Sequence, residues 1–559
     1  MNVVKKTKRV AWLTLVLVTG SLMALAADEK PAATNLPLDV KSLSANQWVE
    51  RAMSGWKGKT VYGPALGHGL CSAGVRGIAV LDVHTPPGTA RVRKLDLASG
   101  VWSEAATSGV EVIFRDKFNA PVAENLHGIQ LSYDADRETL VGLTSTDLDG
   151  RGRVIEFDLK SGKATGYKPD PAPPTLTAAS LCYDPVNKET VLATGGFSPV
   201  GGTDGTWLYD GAKKQWRRLE TPKEMDEVRL PLEKARDRLV VLRWLAWKNL
   251  EFRATGREER IEDRAKGAAL AKEAADLQAE FKKLGELAGG NAAKAERPYH
   301  KASLAAAQKW LDEAAGKLAG LDAKLKAGSP EELESLYRGS LLPALAAAEK
   351  AVSELAVTPE PRMSAKLVTD PKNRVLVCFG GDGQDRAWGD TWVYHCEGRW
   401  WERRHPAVHP SPRDSRAMTY DPGVGRVVLI RSPRRGQEAQ ETWTYDAAAN
   451  EWRQWNVVGS KEAFFLEHDA SAGCLVAFNL DLNKAWALKL DLSSAKAVEP
   501  KPAPEVALVP TDKDFVLRDA ATTADHVKWK ESMDAWVKSV PANTWVRTPT
   551  NGTGRPNWG

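Results

Sequence analysis

The sequence predicts an all-β propeller of six blades, with seven the alternative, interrupted once by a large α-helical insertion. Three observations carry that prediction. First, between Ser364 and Asn456 the chain states one pattern twice. An apolar run is closed by Asp (Lys366 to Asp370, Ala417 to Asp421), a second apolar run follows (Val375 to Phe379, Val427 to Ile430), and then comes a Thr-Trp-x-Tyr strand (Thr391 to Tyr394, Thr442 to Tyr445). Each copy ends in a Trp nine residues after the Trp of that strand (Trp392 to Trp401, Trp443 to Trp452). Four short strands with polar turns between them, repeated about every fifty residues, mark a propeller blade. Second, one turn of this pattern recurs six times, at Leu95-Asp96, Phe157-Asp158, Tyr209-Asp210, Tyr394-His395, Tyr445-Asp446 and Leu490-Asp491. Third, Tyr209 to Tyr394 spans 185 residues against 51 for Tyr394 to Tyr445, so about 134 residues of different composition interrupt the array.

Taken in order, residues 1–27 read as an export signal. Lys5, Lys6, Lys8 and Arg9 precede the apolar run Val10 to Leu25, and Ala24-Leu-Ala26 supplies small residues for cleavage. The run is shorter than the ~20 apolar residues a spanning helix needs, so no membrane span is expected after cleavage. Removing those four charges brings the formal +5 to +1. Nothing global then attracts the chain to nucleic acid. A Pro/Ala spacer covers 28–43.

Blades one to three occupy 44–222. Across the repeats the aromatic or Leu packs between sheets and the Asp opens a tight turn through its own backbone, and in four copies a Trp seven positions on returns along the outer strand (Trp102, Trp216, Trp401, Trp452). Tyr133-Asp134, Tyr183-Asp184, Thr369-Asp370 and Tyr420-Asp421 mark the first hairpin of four blades, and His468-Asp469 a fifth. The insertion, 223–357, is rich in Ala, Glu, Lys and Leu. Its clearest heptad stripe is Leu304, Ala307, Leu311, Ala314, Leu318, with a second (Leu270 to Ala288) before the breaker Gly289-Gly290-Asn291 and a third (Leu341 to Leu355) after Ser329-Pro330. A further candidate helix covers Arg229 to Phe252. These predict a coiled-coil-like hairpin or small bundle standing off the propeller.

Blades four to six occupy 358–492. A Pro-rich linker, 493–522, and a C-terminal helix with a stray strand, 523–559, follow. Ala542-Asn-Thr-Trp-Val546 echoes Ala45-Asn-Gln-Trp-Val49. The N-terminal copy flows into blade one and is expected to close the sixth blade, whose own outer strand at Ala495 to Val498 lacks the Trp. The C-terminal copy is then surplus, or opens a further domain.

At this point the residues resemble the kelch repeat family, best where Gly195-Gly196 and Gly380-Gly381 each precede a Trp by eleven residues (Trp207, Trp392). The other copies have Val141-Gly142-Leu143, Leu429-Ile430-Arg431 and Ala477-Phe478-Asn479 in place of the double Gly. The resemblance implies a β-propeller, and says almost nothing of ligand. Some extracellular relatives resemble galactose oxidase, a copper radical enzyme using two His, two Tyr and a Cys joined to one Tyr. No such His cluster is evident here, and Pro406 and Pro410 deprive His405 and His409 of a common helix face.

Few residues suggest chemistry. His68 and His127 fall just ahead of innermost strands, as either backbone-bonding residues or a paired contact to a ligand. Arg399, Arg403 and Arg404 flank Trp400, and Arg beside an aromatic can stack on sugars or cover a blade edge. Asp382 to Asp385 and Asp147 to Gly150 resemble fragments of calcium loops without the terminal Glu. Nucleophile-elbow, HExxH and phosphate-loop patterns do not occur. No cofactor or metal is expected. Of five Cys, Cys71, Cys182, Cys378 and Cys474 lie in apolar strand runs. Cys378 and Cys396 fall on consecutive strands of one blade and could bridge if they face each other across it. The reading is an exported, periplasmic or extracellular scaffold binding a protein or polysaccharide, with possible self-association through the insertion. The rival is a carbohydrate-active or copper-oxidase-like enzyme at the channel mouth.

Overall fold

The computed structural model describes residues 42–499 apart from 56–68, 85–88, 107–130, 144–153, 174–179, 195–204, 255–260, 328–334, 383–386, 413–416, 432–439, 461, 464 and 481. The export signal, nearly all of the 28–43 spacer, His68, His127 and everything from 500 onward, with the C-terminal helix and the Ala542 to Val546 echo, lie outside the described residues.

Six antiparallel sheets follow one another along the chain, four of them built from four strands in sequence order, while the sixth takes in the first strand of the chain and the fifth the last. The first strands are Gly69–Ser72, Leu131–Asp134, Ser180–Asp184, Lys366–Asp370, Met418–Asp421 and Phe465–Asp469. Each touches the first strands of the sheets before and after it, and that of the sixth sheet touches that of the first. The arrangement is consistent with blades of a propeller-like fold. A helical region separates the third sheet from the fourth.

The repeated Asp explains why the first strands stop where they do. Asp184 accepts N–H bonds from Val186 and Asn187, Asp370 from Asn373, Asp421 from Gly423, and Asp469 from Ser471 and Ala472. All four carboxylates are buried, so these turns are held inside the fold. Four residues after the Asp the backbone turns left-handed, at Lys188 and Arg374 (φ 57°) as at Gly425 and Gly473. Only glycine enters that region without crowding its own Cβ.

The Tyr-to-Trp spacing of seven is a cross-strand pairing. Tyr209 stands opposite Trp216, Tyr394 opposite Trp401 and Tyr445 opposite Trp452. Their ring centroids are 5.0, 5.2 and 5.0 Å apart. Two of the three Trp also bond the preceding sheet: Trp401 Nε1 donates to Thr206 Oγ1 at 2.8 Å and Trp452 Nε1 to Thr391 Oγ1 at 2.9 Å. That acceptor is the Thr opening each Thr-Trp-x-Tyr strand. In the second sheet the matching position is Val154, and the buried Trp216 Nε1 has no partner among the described residues. A Val154→Thr variant is expected to gain about 0.5–1.5 kcal/mol by supplying one, read as a higher urea midpoint.

The N-terminal strand Val49–Ala52 pairs with Lys484–Leu488 and is the outermost strand of the sixth sheet. This pairing joins residues more than 430 positions apart in sequence, Glu50 facing Trp486. Asn46 fastens the seam, donating to the Asp491 carbonyl at 2.8 Å and accepting the Asp491 N–H at 2.9 Å. The stretch expected as the sixth sheet's own outer strand behaves otherwise. Ala497–Val498 pairs with Glu451–Trp455 and becomes a fifth strand on the fifth sheet. With the sixth sheet's edge occupied by Val49–Ala52, the neighbouring edge is the free one.

The helical region comprises α1 (Lys223–Ala254), α2 (Ile261–Lys294), α3 (Pro298–Leu318), α4 (Leu321–Ala327) and, after a π turn at Tyr337–Leu341, α5 (Leu342–Glu354). Helix α1 packs on α2 and α5, and α3 on α2 and α5, around a core that includes Leu239, Leu277, Phe281, Leu304, Leu311 and Ala348. Gly289-Gly290 does not break a helix, because α2 runs through it. The reason is packing. A Cβ at Gly289 would stand 2.7 Å from Gln308 Oε1 and one at Gly285 2.8 Å from Asp312 Oδ1, so the small residues let α3 approach closely.

Cys378 and Cys396 are both free. Cys378 faces Trp392 in the register, which places Cys396 four residues further along the neighbouring strand. At about 3.3 Å per residue that offset exceeds any disulfide span. Burial pushes the Cys378 thiol up to about 12.

Candidate functional site

Two places gather polar and aromatic side chains of binding character. The first is where the six first strands meet. Lys366, at the start of the fourth sheet, extends its Nζ to within 2.8 Å of Glu467 Oε1 on the sixth sheet. The other carboxylate oxygen accepts the backbone N–H of Ser72, on the first sheet, at 3.2 Å. Three sheets are thus joined through one carboxylate. Glu467 is 7% exposed and Lys366 18%. Burial pulls the Lys366 amine down, but the adjacent carboxylate outweighs it and the net shift is upward. Cys71 and Cys182 border this pair. Burial, reinforced by Glu467, pushes the Cys71 thiol far above its ordinary value. Cys182 is pushed up to about 11 by burial. Thr369 gives its hydroxyl proton to the Tyr183 carbonyl at 2.8 Å, so the Cys182 thiol is the donor in its 3.0 Å contact with Thr369 Oγ1. Thiols held protonated in this way are poor nucleophiles.

The second place is the Arg399 to Arg404 face, which carries four of the residues singled out in the sequence. The structure brings them together, against the helical bundle. Trp400 stacks on His395 with ring centroids 4.1 Å apart. From the bundle, the Arg297 guanidinium lies 5.4 Å from the Trp400 ring, and Tyr299 and His300 each approach to 5.8 Å. Arg403 is engaged by the bundle: its backbone N–H donates to Tyr299 Oη at 3.1 Å and its guanidinium to Ser353 Oγ. Arg404 pairs with Glu402 at 2.8 Å. Arg399 reaches back to Glu189 on the third sheet at 3.1 Å, where Arg217 pairs with the same carboxylate. Burial, with Arg297 adding, lowers the His300 pKa, so the ring is neutral at pH 7 and packs as an aromatic.

The bundle meets the last strand of the fourth sheet at its ends, through Tyr299 and His300 at the start of α3 and Ser353 in the last turn of α5. The chain returning from α5 is anchored as well. Arg362, 1% exposed, grips Asp390 with both terminal nitrogens and lies 4.6 Å from the Trp388 ring. Burial raises and Arg362 lowers the Asp390 pKa, and the balance falls at about 2. Sequence reasoning missed Lys366, Glu467, Arg362 and Asp390. A signal existed for the first pair, since Lys366 and Glu467 are opposite charges inside innermost strands that are otherwise neutral up to their closing Asp. Among the described residues no group of three or more His, Cys, Asp or Glu is arranged to hold a metal ion, and no helix is long and apolar enough to cross a membrane.

No family model matches the chain, and no curated protein matches it. Among solved structures, one described as "Structure of YjhT" is similar with a TM-score of 0.36 and 7% identity, over 80% of this chain and all of that one. A likeness of that size carries no argument about function.

Proposed function

We propose that this chain is an exported, non-catalytic six-bladed β-propeller of kelch type, a scaffold for protein or glycan binding whose helical bundle mediates association. The cyclic contacts of the six first strands and the closing of the sixth sheet by Val49–Ala52 support the propeller. The basic and apolar N-terminal segment supports export. One observation carries the scaffold reading. Among the described residues the groups with ligand chemistry are engaged with each other, Lys366 with Glu467 and Trp400 and Arg403 with the bundle. What the chain offers a partner is then the outer surface of the bundle and the blade edges.

The experiment replaces Lys223 to Val357 with a Gly/Ser loop, which keeps Arg362 on Asp390, and compares this variant with the mature chain. The β-rich fold is expected to persist by circular dichroism with cooperative unfolding, while association is lost. Loss of the whole folded signal would show that the bundle belongs to the core. A glycan array decides between ligand classes. Turnover of a sugar alcohol with release of peroxide by the mature chain would sink the non-catalytic reading in favour of an enzyme at the channel mouth.

A further inference from the structure

Helix α1 has two seams. Met225, Val228, Leu232, Ala235, Leu239 and Leu242 face inward, all buried in the bundle core. On the opposite side the exposed positions are Lys223, Glu227, Leu230, Lys234, Asp237, Val241 and Trp244. They alternate at intervals of four and three, the a/d spacing of a coiled-coil seam. Along most exposed helix faces such positions are polar. Here Leu230, Val241 and Trp244 are 46%, 55% and 53% exposed, among the few large apolar side chains so exposed in the described residues. Pro231 lacks the N–H that would bond the Glu227 carbonyl, so the regular part of the seam is the stretch from Leu230 onward, about 21 Å to Trp244 at 1.5 Å per residue.

The order of residues says what covers it. Read from either end, the stretch is apolar, charged, charged, apolar, with the two charges opposite in sign: Leu230, Lys234, Asp237, Val241. Turning a second copy end for end sets Leu230 against the partner's Val241 and Lys234 against the partner's Asp237, and both contacts occur twice about one two-fold axis. That self-complementarity is what an isologous interface requires. A parallel pairing would instead put Lys234 on Lys234 and Asp237 on Asp237. Asp237 already receives Arg236 Nε at 2.8 Å, yet its side chain remains 68% exposed and open to a second cation.

We propose that the outer seam of α1 is a homodimer interface, two copies pairing antiparallel about an axis between Ala235 and Arg236. The proposal rests on the reading of the bundle as the association module and names its partner, a second copy of this chain. One helix seam is small, so the dimer is weak, with a dissociation constant on the order of micromolar.

The test is sedimentation equilibrium of the mature chain across a concentration series, with circular dichroism confirming that each variant is folded. Wild type is expected to pass from monomer to dimer. Leu230→Glu and Val241→Glu should each leave a monomer. Lys234→Asp and Asp237→Lys should each weaken the dimer by about tenfold or more, because each sets like charges opposite one another. Mixing those two single variants, or combining them in one chain, should restore wild-type affinity. A monomeric wild type overturns the proposal, and so does a dimer indifferent to Leu230→Glu and Val241→Glu. Weakening by the single charge variants without recovery on mixing overturns the antiparallel register. A monomer without enzymatic turnover removes the self-pairing and leaves the scaffold reading intact. Turnover by a dimer does the reverse.

Discussion

A Lys366→Met protein is expected to be about 3–5 kcal/mol less stable than wild type, the loss that follows when one partner of a buried ion pair is removed. The Glu467 carboxylate is 7% exposed and has two partners from outside its own sheet, the Lys366 amine at 2.8 Å and the Ser72 N–H at 3.2 Å. Met fills the space of the Lys stem and removes the charge. One backbone N–H is then left to hold a carboxylate out of water. Replacing both residues, Lys366→Met with Glu467→Gln, is expected to recover most of the loss, because the cost lies in the stranded charge and the pair itself contributes little net. Urea unfolding of the two single variants and the double variant gives the coupling directly. A cost under about 1 kcal/mol for Lys366→Met would mean that water fills the axis and the pair behaves as a surface one. That outcome would reopen the axis as a ligand channel.

The parts of the fold that were legible in sequence are those with local causes. An Asp that caps a turn, a Tyr and Trp seven apart, and a Leu/Ala stripe at heptad spacing each act over fewer than ten residues, so their physics is written in consecutive letters. The array and the bundle follow from them. What the sequence hid depends on which strand lies beside which. Arg399, Trp400, Arg403 and Arg404 read as a solvent face because nothing local says that Arg297 and Tyr299, about a hundred positions earlier, lie against them. Lys366 and Glu467 were passed over for the same reason, their contact spanning sheets that are not even neighbours. Gly289-Gly290 misled in the opposite sense. Its local tendency to end a helix was overridden by the close approach of α3. Cys378 and Cys396 show that consecutive strands are not enough, since the register set by the hairpin keeps the thiols apart.

Trp401→Ala is expected to cost about 3–5 kcal/mol, at the upper end for a buried side chain, because the residue belongs to two sheets at once. It is 1% exposed, packs on Tyr394 across the strand pair and bonds Thr206 of the third sheet. Truncation opens a cavity between sheets whose backbones are fixed by their own ladders and cannot collapse into it. The equivalent Trp216→Ala change should cost less, by about 1 kcal/mol, since the same ring packing is lost but the Trp216 Nε1 has no hydrogen-bond partner among the described residues that truncation could remove. The comparison separates the packing of the Trp from its inter-sheet hydrogen bond within one molecule. In a Val154→Thr background, where Trp216 gains an acceptor, its truncation should become as costly as that of Trp401. Urea midpoints of the three truncations test this. If Trp401→Ala keeps wild-type stability and instead weakens capture of a partner, the Trp is a binding residue. The seven-residue spacing would then mark a recognition surface and not the joint between sheets.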